Sequence, residues 1–370
     1  VIFEKDVGVV GDTNNALKLL DIQSSGAALE GAAHISEVNF AEGTWLGLGK
    51  AGGADYKFTT INLASSNVGD LIVIGDATIK TPGAGNTLSL GSVDKVMSKL
   101  SFNGANELTL EDGVNVWANE LVNANTSTLT FKGNNVFSAK DTAHNGVATI
   151  NVDNADKVAT LMQDTFVAND VSFTSANSTL AVAGNLTANN IQGAANNNGT
   201  LRFINKNKNI TVDSPVGDGT SLKSIEFAGA AGKVTFARQV QHNNAFTFTA
   251  DAGQGIVMDF DGVAALTTVL DNSSFINNSD HTQRVVLPGN ANFAATTELA
   301  NGNSEIDFVI ADGKNVIIST TKAKNANFVT DVKNTGEVTL NAATVINRVG
   351  KDGTNVGKLT FANSGEVTSA

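Results

Sequence analysis

One phrase recurs along this chain and narrows what it can fold into. A Gly-led turn is followed, about ten residues on, by an aliphatic residue, a polar residue and Phe. It runs from Gly217 to Phe227 as Gly-Asp-Gly-Thr-Ser-Leu-Lys-Ser-Ile-Glu-Phe and returns from Gly350 through Leu359-Thr360-Phe361. Looser copies run from Gly91 to Phe102 and from Gly11 to Ile22, where an aliphatic stands in place of Phe. Repetition of whole phrases predicts a stack of similar units in which each buries its apolar face against the next.

The triplet alone recurs more often, for example at Val38-Asn39-Phe40, Leu129-Thr130-Phe131, Leu201-Arg202-Phe203, Met258-Asp259-Phe260 and Ile306-Asp307-Phe308. Side chains alternate along a strand, so the two apolar members face a core and the polar middle residue faces out. A second short strand follows about nine residues later, as in Phe102 to Leu108-Thr109-Leu110 and Phe227 to Val234-Thr235-Phe236. The intervening stretch is too short and Gly-rich for a crossover helix. Asp-Gly and Asn-Gly pairs supply corners, and Pro82, Pro215 and Pro288 lie outside the triplets. Residues 16–22 and 157–167 have the only weakly helical patterns.

Hairpin meanders and solenoid coils both fit short strands. Whole-phrase similarity, the lack of strict two-residue turns and the recurrence of Asn, which stacks into ladders, favour the solenoid. At roughly 20–25 residues per coil, the chain accommodates about 15–18 coils. The repeat copies start irregularly, at Gly11, Gly91, Gly217 and Gly350, so insertions or degenerate coils lie between them. Residues 1–56 hold Trp45, the only Tyr and several glycines. They read as a cap, a side loop or ordinary coils with a decorated corner. The rest is a single solenoid. The chain starts at Val1 without Met and ends inside the second half of a repeat, so both ends read as cuts and a fragment of a larger precursor is expected.

Composition excludes several functions. Hydrophobic residues make up 41%, enough for a core, while charged residues are only 16%. The balance of 24 basic and 36 acidic side chains, net −12, disfavours nucleic acid and anionic membrane surfaces as partners. With no cysteine there is no disulfide, thiol catalysis or Cys-based metal site. His34, His144, His242 and His281 are widely spaced, form no metal-ligand pair and read as surface-loop histidines. The serine-hydrolase strings Gly-Asp-Ser-Gly and Gly-x-Ser-x-Gly are absent, and Gly52-Gly53-Ala54-Asp55 lacks the tandem copies of a calcium repeat. No cofactor is expected. The best carboxylate pair is Asp259 and Asp261, two apart and facing out, with Glu226 or Asp307 as possible stacked neighbours. It suits a polysaccharide-active site, although an outer-face acid beside a turn Asp explains it more simply. Trp45, Tyr56 and Trp117 are candidate partner anchors.

The stretches 196–236 and 349–368 resemble repeats of rickettsial surface autotransporters of the outer-membrane protein A and B type. The carrying residues are Asn196-Asn197-Asn198-Gly199-Thr200-Leu201-Arg202-Phe203, Ile210-Thr211-Val212 and the run from Val216-Gly217 to Phe236. The two stretches together hold 61 of the 370 residues. It implies an all-β, right-handed parallel β-helix passenger exported through its own C-terminal membrane barrel. It also implies a bacterial cell-surface location, a host cell-surface protein as partner, a role in adhesion and entry and as a surface antigen, and no catalytic residues. The alternatives are the polysaccharide-active solenoid and a passive structural coat.

Overall fold

The computed structural model describes residues 10–11, 15–140, 146–204, 209–229, 232–260, 273–352, 354–362 and 368–369. The fold is an all-β parallel solenoid of about 15 turns, with no helix among the described residues. It divides into two compact units, residues 1–181 with 187–189, and residues 182–186 with 190–370.

In the first unit each coil contributes a strand to each of two parallel sheets. One sheet stacks Gly26–Leu29, Trp45–Leu48, Asp70–Val73, Met97–Phe102, Val114–Val122, Asn135–Ala139 and Val158–Leu161. The other stacks Leu17–Ile22, Ala33–Phe40, Ala54–Leu63, Ala77–Lys80, Glu107–Leu110, Thr128–Phe131, Val147–Val152 and Thr165–Phe173. The strand–corner–strand spacing of about nine residues is the passage between these sheets. Phe102 ends a strand of the first, and Leu108 lies in the next strand, on the second. Described residues up to Tyr56 belong to coils of the same kind. Residues 17–22 are a strand because parallel pairing with Ala33–Phe40 overrides a weak helical pattern. Residues 157–167 likewise split between strand Val158–Leu161 and the start of strand Thr165–Phe173.

The second unit repeats the plan. Thr200–Phe203, Ser224–Phe227, Ala245–Phe248 and Ser274–Asn277 stack in one sheet. Ile210–Asp213, Gly232–Phe236, Ile256–Asp259, Gln283–Leu287, Ile306–Ile310 and Lys322–Thr330 stack in the other. A short third sheet joins Ala291–Phe293, Asn315–Ile318, Thr335–Leu340 and Val356–Phe361. Coil length varies, which explains the irregular repeat: Thr128 lies beside Thr149, whereas Val257 lies beside Arg284.

The alternation pattern places the core. Leu129, Phe131, Leu201, Phe203, Ile225, Phe227, Met258, Phe260, Ile306 and Phe308 are all fully buried. Burying each such side chain stabilises the fold by about 1.5–3 kcal/mol. Leu359 and Phe361 depart from the expectation that every triplet faces a core. They are 39% and 59% exposed, and among the described residues their strand pairs on one side only. Corners are tight where coils meet. Gly217 has φ +72, and a Cβ there would collide with the backbone carbonyl of Gln241.

Candidate functional site

The outer carboxylates are built into ion pairs between coils. Asp259 follows the inward Met258 on strand Ile256–Asp259, so it faces out, yet neighbouring side chains cover all but 7% of it. Its Oδ2 accepts from Lys233 Nζ at 3.1 Å. Glu226 lies on the other sheet and takes Arg202 Nε at 2.7 Å and Nη2 at 2.6 Å. Asp307 accepts from Asn327 Nδ2 at 2.7 Å and lies 3.6 Å from Arg348 Nη2. Asp307 is beside Arg284, and Arg284 is beside Val257, two positions along the strand from Asp259. At strand spacings of roughly 4.8 Å and 3.3 Å per residue, the two acids stand about 12 Å apart. The gathering of Asp259 with Glu226 or Asp307 that stacking would allow is therefore not formed, as the simpler outer-face reading of Asp259 has it. Asp261 lies outside the described residues. Among the described residues no three His, Cys, Asp or Glu side chains are grouped to hold a metal.

The candidate anchors behave differently from one another. Tyr56 is fully buried, which corrects its reading as a surface anchor. Its hydroxyl donates to Leu29 O at 2.7 Å and accepts from Gly49 N at 2.8 Å. Burial pushes its pKa up to about 12, against a smaller opposing effect from the Gly49 hydrogen bond. Gly49 holds this loop at φ +127, where a Cβ would meet the Gly75 backbone. Trp45 is half-buried, and its indole lies flat over Gly26, whose missing Cβ makes the room. Trp117 is also half-buried and sits beside Ser138 of the next coil.

The histidines also divide. His34 is half-buried within strand Ala33–Phe40, His281 is exposed, and His144 lies outside the described residues. His242 is not the surface-loop residue expected, because its ring is turned inward. The ring packs edge-on to Phe246 with centroids 4.2 Å apart, and Nδ1 is buried without a hydrogen-bond partner. Burial lowers its pKa to about 4. Nε2 lies 3.3 Å from Ser273 Oγ. This is no catalytic dyad: Ser273 is 4% exposed, and no acid orients Nδ1.

Sequence reasoning missed the role that Asn takes at the corners. Asn ladders exist, as where Asn62 donates to Asn39 at 2.9 Å and Asn347 to Asn327 at 2.7 Å. More often an Asn carbonyl accepts a backbone N–H of the next coil. Asn115 takes Val136 N at 2.7 Å, Asn134 takes Val158 N at 3.1 Å, and Asn154 takes Thr179 N at 3.0 Å. Asn185, Asn196 and Asn209 do the same for Thr211, Ser221 and Lys233. At a corner the chain leaves the ladder, and its N–H needs a partner from a side chain. Asp112 plays this part for Asn134 N at 2.8 Å, and Lys157 with that N–H holds its carboxyl below the usual range. The signal was present as Asn recurring one coil apart, but varying coil lengths blurred it.

Besides a groove of about 440 Å³ lined by Lys50, Gly52, Gly53, Asp55 and Thr78, two smaller ones open among the described residues. One, of about 390 Å³, is lined by Ala118, Asn119, Ser138, Lys140, Met162 and Gln163. Gln163 Nε2 donates to Ala139 O at 2.8 Å, and its Oε1 is buried without a partner. The other, of about 270 Å³ in the second unit, is lined by Glu298, Asn301, Lys322 and Lys324 among others, and Glu298 is already held by Lys322 and Asn301. Compared with known proteins, the chain matches no family model, no curated protein and no solved structure at a significant level.

Proposed function

We propose that this solenoid is a surface-presenting rather than catalytic element: a segment of an exported passenger that adheres to host cells and is displayed as an antigen at a bacterial surface. The observation that carries this reading is the pairing of its outer acids between coils. Asp259 with Lys233 and Glu226 with Arg202 link neighbouring coils, and Asp307 with Arg348 reaches across the intervening coil of Asn327. Carboxylates committed in this way are poor acids or bases, since general acid–base work needs a free group near a substrate proton. The polar rows and corners are then the contact surface. The resemblance of residues 196–236 and 349–368 to rickettsial autotransporter repeats supplies the biological setting, with a host surface protein as partner and export through the protein's own barrel.

Binding of the labelled 370-residue chain to host cells tests this. Saturable binding that unlabelled chain competes away is expected. Loss of glycan cleavage in Asp259→Ala would instead establish the polysaccharide-active reading. Absence of both saturable binding and turnover would leave a passive coat.

A further inference from the structure

The corner around His242 has the parts of a switch. Its backbone is tied to the preceding coil, with Gln241 N donating to Val216 O at 2.8 Å and Asn243 N to Leu222 O at 2.9 Å. His242 is half-buried as a residue, with its imidazole set against Phe246, its Nδ1 covered and the buried Ser273 hydroxyl at Nε2. Phe246 in turn touches Phe260 and Phe275, at centroid distances of 5.5 Å and 5.1 Å, in the middle of the unit's core. We propose that this corner is a proton-triggered latch, closed around the neutral imidazole and opened when the ring takes up a second proton.

The geometry gives the reason. A serine hydroxyl both donates and accepts, so Ser273 can serve Nε2 in either neutral tautomer. Nδ1 has no partner at all. The imidazolium carries N–H at both positions, so its Nδ1–H would be a buried donor on a buried charge with no acceptor. Among the described residues, no charged group on the neighbouring segments pairs with the ring. Asp218 and Lys223 belong to the preceding coil, Asp251 to the turn that follows, and Glu298, near Ser274, is engaged by Lys322 and Asn301. Asp261 and Asp271 lie outside the described residues. Burial is the sole cause of the fall in the ring's pKa from 6.5 to about 4.

The sign follows. The closed corner disfavours the cation, so its stability is complete above about pH 6.5 and is lost as pH falls from there towards 4. Between pH 7.5 and pH 5 the ratio of open to closed corner rises roughly 30-fold. Opening uncovers Phe246 and loosens the aromatic core beneath it.

Hydrogen–deuterium exchange of residues 240–248, corrected for intrinsic rates, reads this opening directly. A rise of roughly 30-fold from pH 7.5 to pH 5 is expected in the wild type. His242→Phe should flatten the response. A change below about threefold in the wild type, or an unchanged response in His242→Phe, would overturn the latch. The imidazole titration followed by NMR in the unaltered chain needs no variant. One histidine signal should titrate near pH 4, with protection of residues 240–248 lost in step, whereas midpoints near 6.5 for every histidine would refute the proposal.

Discussion

The two compact units make the same kind of coil around different interiors. In the second, rings touch in an unbroken path: Phe248, Phe227 and Phe203 stack, Phe203 meets Phe236, and the path continues through Phe246, Phe275, Phe293, Phe308 and Phe328. In the first unit the described ring contacts are confined to Phe131, Phe137 and Phe166. The rest of its interior is mostly aliphatic; Phe40, Phe58, Phe102 and Phe173 are buried outside those contacts, and Tyr56, Asn135 and Asn154 are among its polar members. Parallel backbone ladders set the coil in both. The interior needs only to be filled without voids, so aromatic stacking and aliphatic packing are interchangeable routes to one architecture. They differ in what breaks them.

The largest effect should come from the aromatic path. Phe308 lies within 5.3 to 5.4 Å of Phe275, Phe293 and Phe328. Phe308→Ala is expected to cost about 4 kcal/mol in urea unfolding of the second unit. Phe58→Ala in the first unit removes an equally buried ring that has no described ring neighbour, and should cost about 1 kcal/mol less. Equal losses would show that stacking adds nothing beyond buried area.

Next comes the buried polar set of the first unit. Asn154 is 1% exposed, its Oδ1 accepts from Thr179 N, and its Nδ2 donates to Gly133 O and Thr179 O. Asn154→Ala strands these groups and should cost about 3 kcal/mol by the same measurement. A loss under about 1 kcal/mol would mean that water enters the corner and replaces the amide.

Tyr56→Phe is expected to cost about 2 kcal/mol, because Leu29 O and Gly49 N lose their shared partner. It has a pH signature as well. Burial raises the phenol to about 12, so the folded unit favours the neutral form. That stability is complete below about pH 10 and is lost as pH rises towards 12. The wild type should therefore weaken over this window more steeply than Tyr56→Phe, and parallel pH profiles would contradict the assignment.

The legible part of this fold was the part governed by alternation. Leu201-Arg202-Phe203 and Ile225-Glu226-Phe227 announce strands because two apolar residues flank one polar residue, and the coils bury them so. The turn pairs mark corners for the same local reason. What depends on three-dimensional neighbours stayed hidden. Nothing around Tyr56 in sequence shows that a carbonyl 27 residues away awaits its hydroxyl. His242 sits among polar residues, yet Phe246 draws its ring inward. The outward position of Asp259 was readable, but its partner Lys233 lies one coil back, 26 residues away. Asp259, one member of the carboxylate pair seen in sequence, thus stands in an inter-coil ion pair.

The smallest expected effect concerns the outer faces, where the units should not differ. In the second, Arg202 Nε and Nη2 converge on one oxygen of Glu226, with side chains 32% and 21% exposed. In the first, Lys80 Nζ meets Asp55 at 2.7 Å with side chains 31% and 52% exposed. Both pairs join neighbouring coils and both reach water. Solvent screening and the entropy of holding long side chains leave such pairs worth about 0–1 kcal/mol. Arg202→Met and Lys80→Met, which keep the aliphatic stem, should each cost less than about 1 kcal/mol, and less still at high salt. Similar small losses would place the difference between the units in their interiors. A loss above about 2 kcal/mol for Arg202→Met alone, unmoved by salt, would show that its converged geometry behaves as a buried pair and that the second unit's outer face is also specialised.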